Sequence, residues 1–399
     1  MKTPIKVVHL ISLPAHYYAA LYRELSRRPE IDLTVMFYST ASANAYDAGF
    51  GRKVCWDVPL TDGYKSYIGS SAKVRTLFNP RANLQPNWDV LREVLRSRCD
   101  VVWAFGYTFV NTWVAAAAQF KGYRLLLRDD QTLLTERPQW KRALKHLTLP
   151  LLFRYVGGLY TGEENRRFFL HYGTPRRRLF RANHCVDNKA LRARRLELEP
   201  RRREIRESFG IRDESPVVLF SGKLIDKKKP QLLLEAFEQL RRVLPCHLLF
   251  VGDGGLRRSL EDEVSRRGIP DVRWAGFLNQ SRIAEAYVAG DIFVLPSAYE
   301  ETWGLVVNEA MNFALPIVVS DKVGCGPDLV RDGYNGFVFR SGDVEGLRSA
   351  LAALVASDAL RKEYGAHSAA LVQEYSVEAC ADQLVKAFLT VAATPGQRW

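Results

Sequence analysis

The 399-residue chain holds no run of about 18 apolar residues, the least that a membrane-spanning helix needs, so no transmembrane helix is expected. Its six cysteines, Cys55, Cys99, Cys185, Cys246, Cys325 and Cys380, are scattered without a Cys-x-x-Cys pair. No zinc spacing appears, and a disulfide framework is not expected in a chain this long. That fits a reducing cytoplasm. The first strand-to-helix turn, "LISLPAHYYAALY", has no glycine, which counts against a classical NAD enzyme. No Asp-x-Asp motif follows a strand; "RDDQ" has adjacent acids instead. No side chain stands out as a covalent nucleophile. The N-terminal apolar stretch is short, holds His9 and runs into a polar helix, so it reads as a β-strand and not as a signal peptide.

What is present is a long chain of ordinary globular make-up, enough for two large domains. Its 57 Lys and Arg against 44 Asp and Glu give a net charge of +13. Such an excess points to an anionic partner: nucleic acid, a membrane surface or a phosphorylated substrate. The plainer reading is solubility, and charge alone does not choose.

The first half alternates strand and helix patterns. "IKVVHLIS", "IDLTVMFYS", "DVVWAFG", "YRLLLRDD" and "GGLYTG" read as strands, with helices at "HYYAALYRELSRR" and "NTWVAAAAQF". The charge-dense stretch "NKALRARRLELEPRRREIRESFGI" marks the domain boundary. The second half repeats the alternation, with strands at "SPVVLFSG", "CHLLFVGDGG", "DVRWAGFL", "DIFVLPS", "PIVVSD" and "NGFVF". The expected fold is α/β, with two Rossmann-like domains whose parallel sheets face a cleft. The domains are expected at 1–188 and 189–378, with 379–399 as a C-terminal helix crossing back to the first. Ligands of such sheets bind at the carboxyl ends of the strands.

Two stretches there carry candidate chemistry. In "SAYEETWGLVVNEAMNFA", Gly304 opens a helix whose first N–H groups and positive dipole end suit a phosphate. Glu301 and Glu309 then read best as acceptors of neutral hydroxyls on either side of a diphosphate. An ordinary surface acid is the other reading of Glu309. In "LFSGKLIDKKKPQLLLEAF", Gly222 ends a strand and Lys223, Lys227, Lys228 and Lys229 follow. They are placed to neutralise a diphosphate, or form a solvated basic loop. The turn "VGDGGLRRSL" is only half a dinucleotide fingerprint.

In order, "FSGKLIDKKKPQLLLEAF", "LLFVGDGGLRRSLEDE", "VRWAGFL", "YVAGDIFVLPSAYEETWGLVVNEAMNFALPIVVSD" and "VRDGYNGFVF" resemble the C-terminal half of glycosyltransferase family 4. That family is retaining and has the GT-B architecture. The first 180 or so residues match only loosely. The resemblance implies a hexosyltransferase-type enzyme moving a sugar from a UDP-, GDP- or ADP-linked donor to a glycan or lipid-linked acceptor, as in cell-surface polysaccharide synthesis. It implies Glu301 on the donor sugar, Glu309 on the ribose, the amides near Gly304, Leu305 and Val306 on the diphosphate, and Gly276, Phe277 and Leu278 around the base. Lys223 and Lys228 would neutralise the diphosphate without a metal, and no cofactor is expected. The family usually has arginine where Lys223 stands, so a bidentate grip is lost. The first loop departs from the family's glycine-rich form. His16, Tyr107, Arg128, Asp129 and Asp130 are candidates for acceptor or donor contacts, or simply loop structure.

Two other classes compete: a nucleotide-sugar epimerase on the same fold, and a non-catalytic nucleic-acid binder. The second lacks a motif and an aromatic stacking platform. Finally, "RPQWKRALKHLTLPLLFRYVGG" sets Lys141, Arg142, Lys145 and Arg154 beside Leu144, Leu147, Leu151, Leu152 and Phe153. Such a helix can lie on the anionic cytoplasmic face of a membrane, or pack on the first domain.

Overall fold

The computed structural model describes residues 3–38, 45–47, 49–69 and 86–393, with the backbone alone at residues 45 and 46. Residues 394–399 of the expected last helix lie outside these. The chain divides into two compact units. The first comprises 1–46, 53–185 and 377–399, and the second 47–52 and 186–376. The expected α/β class, with a parallel Rossmann-like sheet in each unit, is the one found.

The first unit holds β1 (Ile5–Ile11), β2 (Ile31–Phe37), β5 (Lys65–Ile68), β6 (Val101–Phe105), β7 (Arg124–Arg128), β8 (Gly157–Tyr160) and β9 (Leu179–Arg181), and the short pieces β3 (Ala45–Asp47) and β4 (Arg52–Val54) fall between β2 and β5 in the chain. The sheet order is β5-β2-β1-β6-β7-β8-β9, and each pairing is parallel. Alternate residues of β1, β2 and β6 feed two apolar layers. Val7, Leu33, Val35 and Trp103 enter one, and Val8, Leu10, Met36 and Val102 the other. Both faces are therefore covered, as a parallel sheet requires. The Val377–Ala392 helix belongs to this unit and packs Cys380, Leu384 and Phe388 into the first layer. His9 lies fully inside, stacked 3.7 Å from Trp103 and drawn down to about 3 by burial, so it stays neutral at ordinary pH.

The second unit holds β10 (Val217–Ser221), β11 (His247–Val251), β12 (Val272–Gly276), β13 (Ile292–Leu295), β14 (Ile317–Ser320) and β15 (Gly336–Phe339). Runs such as VVLFS, HLLFV and IFVL are buried at every residue, the signature of a strand covered on both sides. Helices Pro230–Arg241 and Val344–Ala356 cover one face through Leu233, Phe237, Leu347 and Leu351. Helices Ile283–Ala289 and Leu305–Asn312 cover the other through Tyr287, Val307 and Met311. Pro230 opens its helix at a position where the missing N–H costs nothing. The charge-dense stretch forms helices Asn188–Leu198 and Arg202–Ser208 within this unit. Its arginines are spent locally: Arg206 reaches Asp291 and the Ala289 carbonyl, and Arg202 reaches Asp291 at 2.6 Å.

The order of this sheet is β12-β11-β10-β13-β14-β15. Counted within the unit, that is 3-2-1-4-5-6, the doubly wound order whose switch point falls between the first and fourth strands. The turns after β10 and β11 touch through backbone. Leu224 donates to the Asp253 carbonyl and Leu256 to the Leu224 carbonyl, each at 2.9 Å. Gly252 sits at φ +123°, and a Cβ there would collide with the Gly222 carbonyl oxygen. Gly252 and Gly254 of "VGDGG" thus serve close packing of two loops. Gly252→Ala is expected to destabilise the unit by about 3 kcal/mol, at the upper end of ordinary point mutants. A thermal melt followed by circular dichroism checks this; an unchanged midpoint refutes it.

Candidate functional site

The switch point of the second sheet lies between β10 and β13, and the two stretches singled out in the sequence are the loops that leave those strands. Lys228, in the turn after β10, forms an ion pair with the Glu301 carboxylate in the loop after β13. Their side chains are only 12% and 10% exposed. Ser297 donates to the same oxygen, Oε2, at 2.9 Å. Oε1 accepts nothing among the described residues and is open to a further donor. Burial pushes the Glu301 carboxyl up, but Lys228, Lys227 and Ser297 together hold it below the usual range. It is an ionised acceptor at neutral pH.

The Glu301 loop is held by backbone on its other side. Gly324 donates to the Glu301 carbonyl at 2.9 Å and Cys325 to the Trp303 carbonyl at 3.0 Å. A Cβ at Gly324 would strike the Thr302 carbonyl. Glu300 adopts a left-handed φ of +54°, unusual for a residue with a side chain. Lys227 donates to its carbonyl at 3.3 Å, and Tyr299 donates to Asp226 at 2.7 Å. Sequence reasoning passed over Ser297, Asp226, Tyr299 and the "VGCG" clamp. Asp226, Tyr299 and the clamp are marked only by contacts with residues far along the chain, and Ser297 by its bond to Glu301.

Gly304, at φ +101°, caps the Leu305–Asn312 helix, and a Cβ there would crowd Leu295 and Val323. The first amides of that helix, at Leu305 and Val306, have no carbonyl a turn earlier in the helix to donate to. Glu309 lies on the same helix, half-buried. Its Oε2 accepts from the Tyr287 hydroxyl at 2.6 Å. Burial drives its carboxyl up to about 7, against the pull of that hydroxyl. Two carboxylates on one segment therefore carry different protonation, set by Lys228 beside one and apolar surroundings around the other.

Lys223 does not join Lys228. Its Nζ lies 2.8 Å from both carboxylate oxygens of Asp47, over the Phe50 ring. The two lysines expected to neutralise a diphosphate each stand in an ion pair, and Lys227, its pKa lowered by burial, stands beside them. Gly222 donates to the Val251 carbonyl. Gly276 ends β12 at φ +69°, and its carbonyl accepts from Gly252 at 2.8 Å. Phe277 lies edge-on to Phe50 at 5.0 Å with Arg52 above it, while Leu278 packs on the core.

In the first unit, His16 begins the His16–Leu25 helix against Trp56, ring centres 4.2 Å apart. Burial draws it down to about 4 although Asp57 opposes, so it is neutral. Tyr107 is buried against Phe168, and its amide donates to Asp129 at 3.2 Å. Asp129 also accepts from the Gln131 amide at 2.8 Å. Burial and the Asp130 charge raise it to about 7. Asp130 beside it is half-buried. Arg128 departs from the expectation of an acceptor or donor contact. It is 0% exposed, and its guanidinium donates to the Asn183 carbonyl at 3.0 Å and to Cys380 Sγ at 3.9 Å. The Val377–Ala392 helix supplies that sulfur, which is why a strand-end cation lies inside.

Among the described residues, no three His, Cys, Asp or Glu side chains gather as a metal site would need, and no helix is long and apolar enough to cross a membrane.

Comparison with known proteins finds a family match that lies in the second unit. Residues 201–370 match the family model of glycosyl transferases group 1. The alpha-D-kanosaminyltransferase of Streptomyces kanamyceticus is 34% identical over 191 residues, 47% of this chain and 49% of that protein. A sulfoquinovosyl transferase of Arabidopsis thaliana is 36% identical over 166 residues, 41% of this chain and 30% of that protein. The chain thus spans half or less of the length of these curated relatives. Their transferase names lend no support to the epimerase alternative. Anabaena HepE, solved in complex with UDP and glucose, matches with a TM-score of 0.69 over 97% of this chain and 100% of its own, at 16% identity. That likeness is one of fold, the GT-B architecture expected from the sequence.

Proposed function

We propose that the protein is a retaining, metal-independent glycosyltransferase that takes a sugar from a nucleoside-diphosphate donor to a glycan or lipid-linked acceptor. The observation that carries this is the arrangement at the switch point: an ionised Glu301 with one oxygen open, a helix start at Gly304, and Glu309 one turn further on. The match of residues 201–370 to glycosyl transferases group 1 supports it.

In this reading the diphosphate meets the amides at Gly304, Leu305 and Val306, where the helix dipole favours an anion. Lys223 and Lys228 shift part of their charge from Asp47 and Glu301 to the leaving phosphate. Glu301 Oε1 accepts from a hydroxyl of the donor sugar, and Glu309 from the ribose diol. Gly276, Phe277 and Leu278 border the base. The bond from the anomeric carbon to the phosphate oxygen breaks, and the acceptor oxygen bonds to the same face. The acceptor proton passes to the departing phosphate. The protein's part is positioning and charge stabilisation. His16, Tyr107, Asp129 and Asp130 remain the candidates for acceptor contact.

A thermal-shift series with UDP, GDP, ADP and their sugars tests the reading, since a ligand of the folded state raises the midpoint. One nucleotide series is expected to stabilise, and no shift with any of them overturns the proposal. Glu301→Ala is expected to lower turnover on the order of a hundredfold while the free nucleoside diphosphate still binds. Wild-type turnover would remove Glu301 from the site.

The Glu309 carboxyl gives a pH signature. Accepting two hydroxyls requires the carboxylate, so nucleotide binding lowers its pKa and releases a proton. Affinity is therefore expected to be flat above pH about 7 and to fall by up to about tenfold per pH unit below it. Glu309→Gln should remove that component, leaving only the titration of the ligand phosphate. Calorimetry at several pH values reads the difference, and identical slopes in both proteins would refute the diol role.

Turnover is expected to survive excess EDTA. Complete loss that magnesium or manganese restores would overturn the metal-free reading.

A further inference from the structure

The Gln139–Phe153 helix of the first unit carries a surface that the transferase reading leaves unused. It runs on through Pro150 to Phe153. Leu149, Leu152 and Phe153 turn inward to the core, so Leu152 and Phe153 do not belong to the outer face where the sequence pattern put them. Trp140, Leu144, Leu147, Leu151 and Tyr155 are instead 64%, 52%, 73%, 65% and 69% exposed. The steps of four, three and four residues keep the first four on one side of the helix, and Tyr155 follows just past its end. Five large apolar side chains in one exposed row are far from the scattered singles of an ordinary surface.

The charge along the helix itself is of one sign. Lys141, Arg142 and Arg154 are exposed on the same helix or at its end. No Asp or Glu occurs from Arg137 to Gly162. Lys145 is not part of the set, because its ammonium turns in over the Tyr107 and Phe168 rings at 5.3 and 5.1 Å. An apolar row edged by cations, with no acid among them, matches a surface that offers hydrocarbon beneath a layer of negative charge. A second copy of this chain is a poor match. It would bring like charges together on a protein already at +13. Nucleic acid would satisfy the cations and leave the leucines in water.

We propose that this face docks on an anionic lipid bilayer, with Trp140, Leu144, Leu147, Leu151 and Tyr155 entering the interface and Lys141, Arg142 and Arg154 at the level of the headgroups. The inference goes beyond the transferase reading and does not need it, since docking is read without any donor.

Co-sedimentation of the full chain tests it, using vesicles of phosphatidylcholine alone and with phosphatidylglycerol, at low and high salt. The protein is expected to pellet with the anionic vesicles at low salt and to be released roughly tenfold by high salt, where screening is short-ranged. The double change Leu147→Glu with Leu151→Glu should abolish pelleting. The triple change Lys141→Glu, Arg142→Glu and Arg154→Glu should remove the preference for anionic vesicles. Each variant is compared with wild type for its melting midpoint and its shift with the stabilising nucleotide, which verifies folding separately from docking. Wild type left in the supernatant with anionic vesicles at low salt overturns the proposal. So does a dimer in sedimentation velocity that Leu147→Glu converts to monomer, which would make the row a self-association face.

Discussion

The Lys228–Glu301 ion pair is the contact on which the site of the second unit depends. It ties the loop after the first strand of the sheet to the loop after the fourth, across the switch point. Both side chains are nearly buried. Removing either would leave the other as an uncompensated charge away from water, far costlier than losing an exposed pair. The backbone clamp from Gly324 and Cys325 fixes the same loop from its far side. With that loop held, Gly304 is set at its left-handed φ and the helix start is aimed where the strands end.

The pair also explains how one short segment carries two carboxylates of different character. Burial acts on both. At Glu301, Lys228 and Lys227 outweigh it; at Glu309 a single tyrosine hydroxyl does not. The first is a permanent anion, and the second titrates near neutrality. In the proposed transferase reading, a site that accepts hydroxyls beside a diphosphate would gain from this. It would keep one negative charge neutralised by a lysine and let the other appear only when a diol offsets its desolvation.

The first unit solves a related problem without a carboxylate. Arg128 is buried with the Asn183 carbonyl and the Cys380 sulfur as its partners, and the Tyr18 ring face lies 5.5 Å from the guanidinium. The Cys380 thiol is drawn down to about 7 by a hydrogen bond from Cys185, against burial and with the help of Arg128. Its sulfur also donates to the Asn183 carbonyl at 3.0 Å, so both it and Arg128 share that acceptor. The Val377–Ala392 helix thus does more than cover apolar surface.

The sequence by itself determined the alternation of strands and helices, the two parallel sheets, and the two loops proposed to carry chemistry. Apolar runs such as VVLFS and IFVL, glycines at strand ends and a paired-acid helix start are local patterns with local causes. Which charge meets which was not local. Lys228 and Glu301 lie 73 residues apart, and Asp47 reaches Lys223 from 176 residues away. Nothing in "DKKKP" says which lysine finds the acid. Arg128 looks like a solvated strand end until a helix from the far end of the chain closes over it. The Gln139–Phe153 helix shows the same division: its periodicity announced an amphipathic segment, but both flanks are apolar. Only packing against Phe168 and Phe169 decided that Leu152 and Phe153 lie inside and Leu147 and Leu151 face out. Pattern fixes what a segment can form; the partners that bury one side of it are chosen by the whole fold.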